Sequence, residues 1–255
     1  MTDRVAVVTG DGSGIGRACA LALGAAGYHV VAADIDGVAA GETLAALEES
    51  GGAGVALEAD VAGRRDCHRL AAAALGAWGR IDGLVASAGV QISGSLDEMT
   101  DAQWEQILGV NLRGAAFCAE AVLPAMTTQG SGAIVFVSSI NAATGSREMP
   151  AYDASKAGLV GLTKSLALRY SPEGVRVNAV GPGATITGFH LRRAAAAGMT
   201  EEQLRERAAG YGLLGRPAEP AEIAAVIRFL IGEESSFITG QFILADGGAS
   251  LTGGV

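Results

Sequence analysis

Tyr152 and Lys156 stand four residues apart, and Ser139 precedes the tyrosine by thirteen. A phenol, an ammonium and a hydroxyl held together can move a proton. An isolated tyrosine, with a pKa of about 10, is a poor base near neutrality. A neighbouring ammonium and a cationic nicotinamide would both favour the phenolate and bring the group toward working pH. Near its start the chain carries Thr9-Gly10-Asp11-Gly12-Ser13-Gly14-Ile15-Gly16. Glycines at such spacing permit a sharp turn and a close approach of backbone N–H groups to phosphate. One set moves a proton and the other holds a pyrophosphate, which together are the parts needed for hydride transfer with a nicotinamide dinucleotide.

The elements that must position these residues follow from the apolar pattern. Short Val/Ile/Ala-rich runs at Arg4–Thr9, His29–Asp34, Gly54–Asp60, Gly83–Ser87, Ala133–Ser138, Val175–Val180 and Phe242–Ala245 predict strands. They are continuously apolar, as parallel strands buried on both faces are. Between them lie helix-period stretches at Ile15–Ala26, Val38–Glu49, Arg65–Trp78, Ala102–Met126, Ala151–Tyr170 and Ala221–Ile231. This alternation predicts an α/β fold, a doubly wound (Rossmann) seven-stranded parallel sheet with helices on both faces, as a single domain over 1–255. Thr187–Leu214 breaks the rhythm after the Pro182-Gly183 turn and reads as a lid over a ligand crevice.

The composition narrows the function. A net charge of −9 disfavours nucleic acid and anionic membrane surfaces as partners. Met1 runs directly into Val5-Ala6-Val7-Val8 without a basic leader, and no uninterrupted apolar run is of bilayer length, so a cytoplasmic protein is expected. Cys19, Cys67 and Cys118 read as reduced and buried, and three scattered histidines offer no metal-ligand spacing. The expectation for metal is none.

Ser139 ends the fifth strand, at the carboxyl edge where such sheets bind ligands, and there it can hold a reacting oxygen beside Tyr152. Asp34 ends the second strand eighteen residues after Gly16. A carboxylate there accepts both adenosine ribose hydroxyls and repels a 2′-phosphate, and neither Ser13 nor Ile35 is basic, so NAD is expected over NADP. Asp11 places a carboxylate beside the phosphate turn, where it is expected to cap the turn.

The spacing Gly10-x-x-x-Gly14-x-Gly16, with Asn111, Ser139, Tyr152 and Lys156 in order and Pro182-Gly183 beyond them, resembles the short-chain dehydrogenase/reductase family over nearly the whole chain. The resemblance implies further roles. Gly10, Ser13, Gly14, Ile15 and Gly16 would hold the dinucleotide; Asp60 and Val61 would contact adenine, and Ser87, Ala88 and Gly89 would approach the ribose. Pro182, Gly183, Thr185 and Thr187 would hold the nicotinamide carboxamide. Tyr152 and Lys156 would bracket the nicotinamide ribose, while Asn111 would hold a water against Lys156. Ser139, rather than Ser138, matches the family's serine. Ser87 stands where the family carries asparagine. Relatives also imply a homo-oligomer, a tetramer or dimer.

The resulting expectation is an NAD-dependent oxidoreductase interconverting a secondary alcohol and its ketone, the substrate a sugar, polyol or hydroxy acid. Gln91, Ser139, Asn141, Arg147, Tyr152, Phe189, His190 and Arg193 are the candidate substrate contacts. The alternatives are an NADPH-dependent 3-oxoacyl carrier-protein reductase on the same scaffold, and a regulator that senses dinucleotide without chemistry.

Overall fold

The computed structural model describes residues 4–252 apart from Ala197, and the side chains of Phe189, Arg192, Arg193 and Ala196 lie outside the described residues. The strands are β1 (Arg4–Thr9), β2 (Tyr28–Asp34), β3 (Ala53–Glu58), β4 (Gly83–Ala86), β5 (Gly132–Val137), β6 (Val175–Pro182) and β7 (Phe242–Ala245). The helices are α1 (Gly14–Ala25), α2 (Gly37–Glu49), α3 (Arg64–Trp78), α4 (Asp101–Leu108), α5 (Ala115–Gln129), α6 (Asn141–Thr144), α7 (Pro150–Tyr170), α8 (Gly188–Ala196), α9 (Glu201–Arg207) and α10 (Pro220–Ile231). The strands form one sheet in the order β3-β2-β1-β4-β5-β6-β7, every neighbouring pair parallel. This is the seven-stranded, doubly wound sheet expected, with its topological switch between β1 and β4.

Both faces of the central strands are covered, which is why their sequences carry no polar alternation. Val5 and Val7 of β1, with Ile134 and Phe136 of β5, face a core completed by α3, α5 and α7. Their neighbours Ala6, Val8, Val135 and Val137 face a second core completed by α1, α2 and α10. Alternate residues point to opposite sides of a strand, so each central strand serves both cores at once. The edge strand β3 is only partly covered.

One stretch differs from expectation. The long helix predicted over Ala102–Met126 is interrupted, since Gly109–Gly114 form a turn of π-helix between α4 and α5. The widened turn changes the helix phase there, which lets Asn111 reach across to the loop after β4. The span Asp101–Gln129 is also long and apolar enough, at mean hydropathy 1.3, to cross a membrane by length and composition. Arg113 and Glu120 interrupt it, and 56% of its most apolar window is buried inside the fold. That is the environment of a core helix.

Two glycines hold the turn between β1 and α1. Gly10 has φ +70°, and a Cβ there would lie 2.5 Å from Ala88 Cα, so the loops after β1 and β4 touch backbone to backbone. A Cβ on Gly16 would fall 2.1 Å from the Gly10 carbonyl oxygen, which keeps the start of α1 tight against β1.

Candidate active site

A cleft of about 1410 Å³ runs along the carboxyl edge of the sheet. Pro150 opens α7 at a position where its missing N–H costs nothing. Tyr152 and Lys156 follow on the first turns of that helix and both line the cleft. The Lys156 ammonium is buried, donates to the Val137 carbonyl at 2.8 Å, and lies 5.6 Å from the centre of the Tyr152 ring. Burial with so little compensation pushes the Lys156 pKa down to about 8.

Tyr152 is held toward its neutral form by its own surroundings. Desolvation raises its pKa above the ordinary value, the Asp153 charge adds to that, and a hydrogen bond with Ser139 opposes it. Burial thus works against the effect expected of neighbouring cations. Ser139, itself buried, accepts a hydrogen bond from the Asn141 N–H at 3.1 Å. Ser138 donates its hydroxyl to the Lys156 carbonyl at 2.8 Å, so the competing serine is engaged in holding α7 to β5.

Asn111 lies behind this group. Its carboxamide donates to the Val90 carbonyl (2.9 Å) and to Ser155 Oγ (3.1 Å), and accepts from the Val90 N–H (2.8 Å). Ser155 Oγ donates in turn to the Tyr152 carbonyl at 2.7 Å. A Cβ on Gly89 would lie 3.4 Å from Asn111 Oδ1 and 3.5 Å from Lys156 Nζ, so these two side chains meet beside that glycine.

The other arm of the cleft is lined by Gly10, Ser13, Gly14, Ile15, Gly16, Asp34, Ile35, Asp60 and Val61. Helix α1 begins there with no side-chain cap and no acid in its first turn. Its free N–H groups and the positive end of its dipole suit an anion such as a pyrophosphate. Asp34 is fixed by accepting the Gly12 N–H and the Asp36 N–H, each at 3.0 Å. Ser87, Ala88 and Gly89 line the middle, and Pro182, Gly183, Thr185 and Thr187 line the far wall. These residues fit an extended dinucleotide.

Of the candidate substrate contacts, Gln91, Ser139, Asn141, Arg147, Tyr152 and His190 border the same cleft. His190 Nδ1 lies 2.8 Å from Thr187 Oγ1, and Asn141 donates to Asp153 at 2.8 Å. The side chains of Phe189 and Arg193 lie outside the described residues. Tyr211 lines the cleft without having been singled out in the sequence. Its hydroxyl bonds the Ala184 backbone, and burial raises its pKa. The surrounding Gly210-Tyr211-Gly212-Leu213-Leu214 carries no local signal that would place the ring in the cleft.

Asp11 requires a correction, because it neither caps the turn nor reaches solvent. The Gly12 N–H of the turn is already taken by Asp34. The Asp11 side chain is instead fully buried with neither carboxyl oxygen bonded, while Thr43 Oγ1 donates to its main-chain carbonyl at 2.8 Å. Burial pushes its pKa from 3.8 to about 8, with the Asp34 charge acting in the same direction and Arg17 against it. Between those two values the native protein binds a proton that the unfolded chain has released, so stability falls as pH rises through that window. Asp11→Asn should therefore stabilise the protein much more at pH 8 than at pH 5, the difference approaching about 1.4 kcal/mol per pH unit at most. Urea unfolding at the two pH values is the check, and an equal effect at both would count against a protonated Asp11.

Comparison with known proteins agrees with this geometry. Residues 10–250 match the family described as enoyl-(acyl carrier protein) reductase. The chain is 38% identical over 247 residues to cis-4-hydroxycyclohexanecarboxylate dehydrogenase of Sinomonas cyclohexanicum, covering 96% of each chain. It is 36% identical over 250 residues to a 3-oxoacyl-(acyl-carrier-protein) reductase of Synechocystis, covering 97% of each. Among solved structures, levodione reductase superposes with a TM-score of 0.92 at 32% identity, covering 98% of this chain and 99% of that one. The chain belongs to the short-chain dehydrogenase/reductase family. It is thus an oxidoreductase of a family that acts on alcohols and ketones with a nicotinamide dinucleotide.

Proposed function

We propose that the protein is an NAD-dependent dehydrogenase that interconverts a secondary alcohol and its ketone, with a hydroxy acid as the favoured substrate class. One observation carries the cofactor assignment. The adenosine arm of the cleft presents the oriented Asp34 carboxylate with Ile35 and Asp60, and the arginine that lines the cleft among the described residues, Arg147, belongs to the other arm. A 2′-phosphate would meet negative charge there, whereas ribose hydroxyls would find an acceptor.

In this reading Tyr152 takes the proton of the alcohol during oxidation and returns it during reduction. Ser139 donates to the reacting oxygen and holds it against the phenol. Lys156 acts on the phenol through its charge and binds ribose hydroxyls, and Asn111 fixes the loop and helix turn that meet at Lys156. When bound, the dinucleotide supplies the hydride carrier and, in its oxidised form, a positive ring beside the phenol. Gln91, Asn141, Arg147 and His190 form the polar rim over the reacting carbon. An arginine in that rim suits a carboxylate, and the similarity to a hydroxycyclohexanecarboxylate dehydrogenase supports the same class. Phe189 and Arg193 are retained as substrate contacts on their place in the chain.

The 3-oxoacyl reductase reading is favoured by the Synechocystis relative and opposed by Asp34. Steady-state kinetics with both cofactors decide between them. NAD(H) should exceed NADP(H) by at least about tenfold in kcat/KM, equivalent to about 1.4 kcal/mol. In the same assay Tyr152→Phe should abolish turnover while NADH binding survives. Equal use of the two cofactors, or substantial activity in the phenylalanine variant, would overturn the assignment. The segment 187–214 would serve as the lid, its helices α8 and α9 joined through glycine-bounded turns. Amide hydrogen exchange across it should slow when NADH is added, and identical exchange in both states would reduce it to a fixed helix pair.

A further inference from the structure

Asp11 is the buried side chain among the described residues whose polar atoms find no hydrogen-bond partner. Its place in the fold is specific. It follows Gly10 at the end of β1 and precedes Gly12, whose N–H is held by Asp34 at 3.0 Å. The Asp34 carboxylate, from the end of β2, therefore reaches the turn at the residue next to Asp11. Ser13 to Gly16, immediately beyond, line the phosphate side of the cleft. Asp11 does not itself line the cleft; it lies behind the turn, packed against β2, α1 and α2.

Each of those elements presents one relevant group. From β2 comes Asp34, whose charge opposes ionisation of Asp11; from α1 comes Arg17, which favours it weakly; from α2 comes the Thr43 hydroxyl, already spent on the Asp11 carbonyl. Among the described residues no hydrogen bond reaches the carboxyl oxygens, and only the pull of Asp11's own backbone N–H joins Arg17 in favouring the charged form. A carboxylate in that position would be desolvated and unpaired, so the neutral acid is the form the fold accommodates. A dinucleotide on the other side of the turn worsens the balance. Its pyrophosphate adds negative charge, and its adenosine removes water that screens Asp34 from Asp11.

We infer that Asp11 is a proton-linked determinant of cofactor affinity: the cleft binds dinucleotide in the form of the protein whose Asp11 carries its proton, and loses affinity as Asp11 ionises. The device rests on the proposed reading of the cleft as a dinucleotide site. Its sign is set by the charges, since an anionic ligand and an ionised Asp11 disfavour each other, and binding above neutrality draws in a proton.

The experiment must separate Asp11 from Lys156, which titrates in the same range and faces the nicotinamide arm. ADP is the probe, because it fills the adenosine and phosphate arm and carries no nicotinamide ribose for Lys156 to bind. Its phosphates, with a last pKa of about 6, are almost fully ionised over the range used. Calorimetric titrations of ADP between pH 7.5 and 9.5, each in two buffers of different ionisation enthalpy, give affinity and proton uptake together. For the unmodified protein, affinity should weaken on the order of tenfold across this range, corresponding to a one-unit difference in the Asp11 pKa between free and bound protein. A fraction of a proton should be taken up per ADP bound. Asp11→Asn and Asp11→Ala should each flatten the dependence and abolish the uptake, so misfolding of one variant leaves the other. A pH-independent affinity in the unmodified protein, or the same decline in both variants, would overturn this inference alone. Failure of ADP to bind at any pH would overturn it together with the dinucleotide reading.

Discussion

The buried ammonium of Lys156 is the interaction around which the candidate active site is organised. A charge with 4% of its surface exposed, bonded among the described contacts to the Val137 carbonyl, sits in an expensive place. The surrounding structure is arranged to hold it there. Ser138 ties the Lys156 carbonyl to the end of β5, and Ser155, one residue before the lysine, is gripped by Asn111. The π-helical turn between α4 and α5 then has a purpose, since it delivers Asn111 to the point where the loop after β4 and the second turn of α7 meet. Burial pushes both titratable partners toward their neutral forms, the lysine downward and the tyrosine upward. A cationic ring beside the phenol would act in the opposite direction.

The cleft is electrostatically divided. At the middle, Lys156 stands with Ser139 and Tyr152; at the arm beside β2, Asp34 and Asp60 line the wall, and the buried Asp11 lies behind the turn. Such an arm suits neutral hydroxyls, and only the uncapped start of α1 offers an anion a favourable seat. A second carboxyl behind a phosphate turn costs stability, and it makes affinity in this chain sensitive to a proton that is not used in the reaction.

Much of this was legible in the residues. The strand runs coincide with the strands to within one or two residues at each end, because double-sided burial leaves an unbroken apolar signature. The glycine turn and the lines of Ser139, Tyr152 and Lys156 were legible because chemistry restricts both residue type and spacing there, and the structure brings them to one cleft. The π-helical turn was not, since one extra residue in a helix barely disturbs an apolar pattern. The burial of Asp11 was missed for a different reason: its fate depends on Asp34, twenty-three residues later, taking the Gly12 N–H first. Tyr211 reaches the cleft only because the segment after β6 folds back over it, a tertiary fact without local signal. The burial that raises the phenol pKa was not legible, because burial is a property of the fold and not of neighbouring residue types.

The central claim is that Tyr152 is the proton-transferring group and that cofactor binding brings its phenol into range. Carbon-13 labelling at the tyrosine Cζ positions makes this directly visible by NMR. The chain has four tyrosines, and Tyr152→Phe identifies the resonance. Titrated alone, Tyr152 should ionise above its ordinary value of about 10; titrated with saturating NAD⁺, it should ionise at least about one pH unit lower. A Tyr152 signal that titrates identically with and without NAD⁺ would contradict the account.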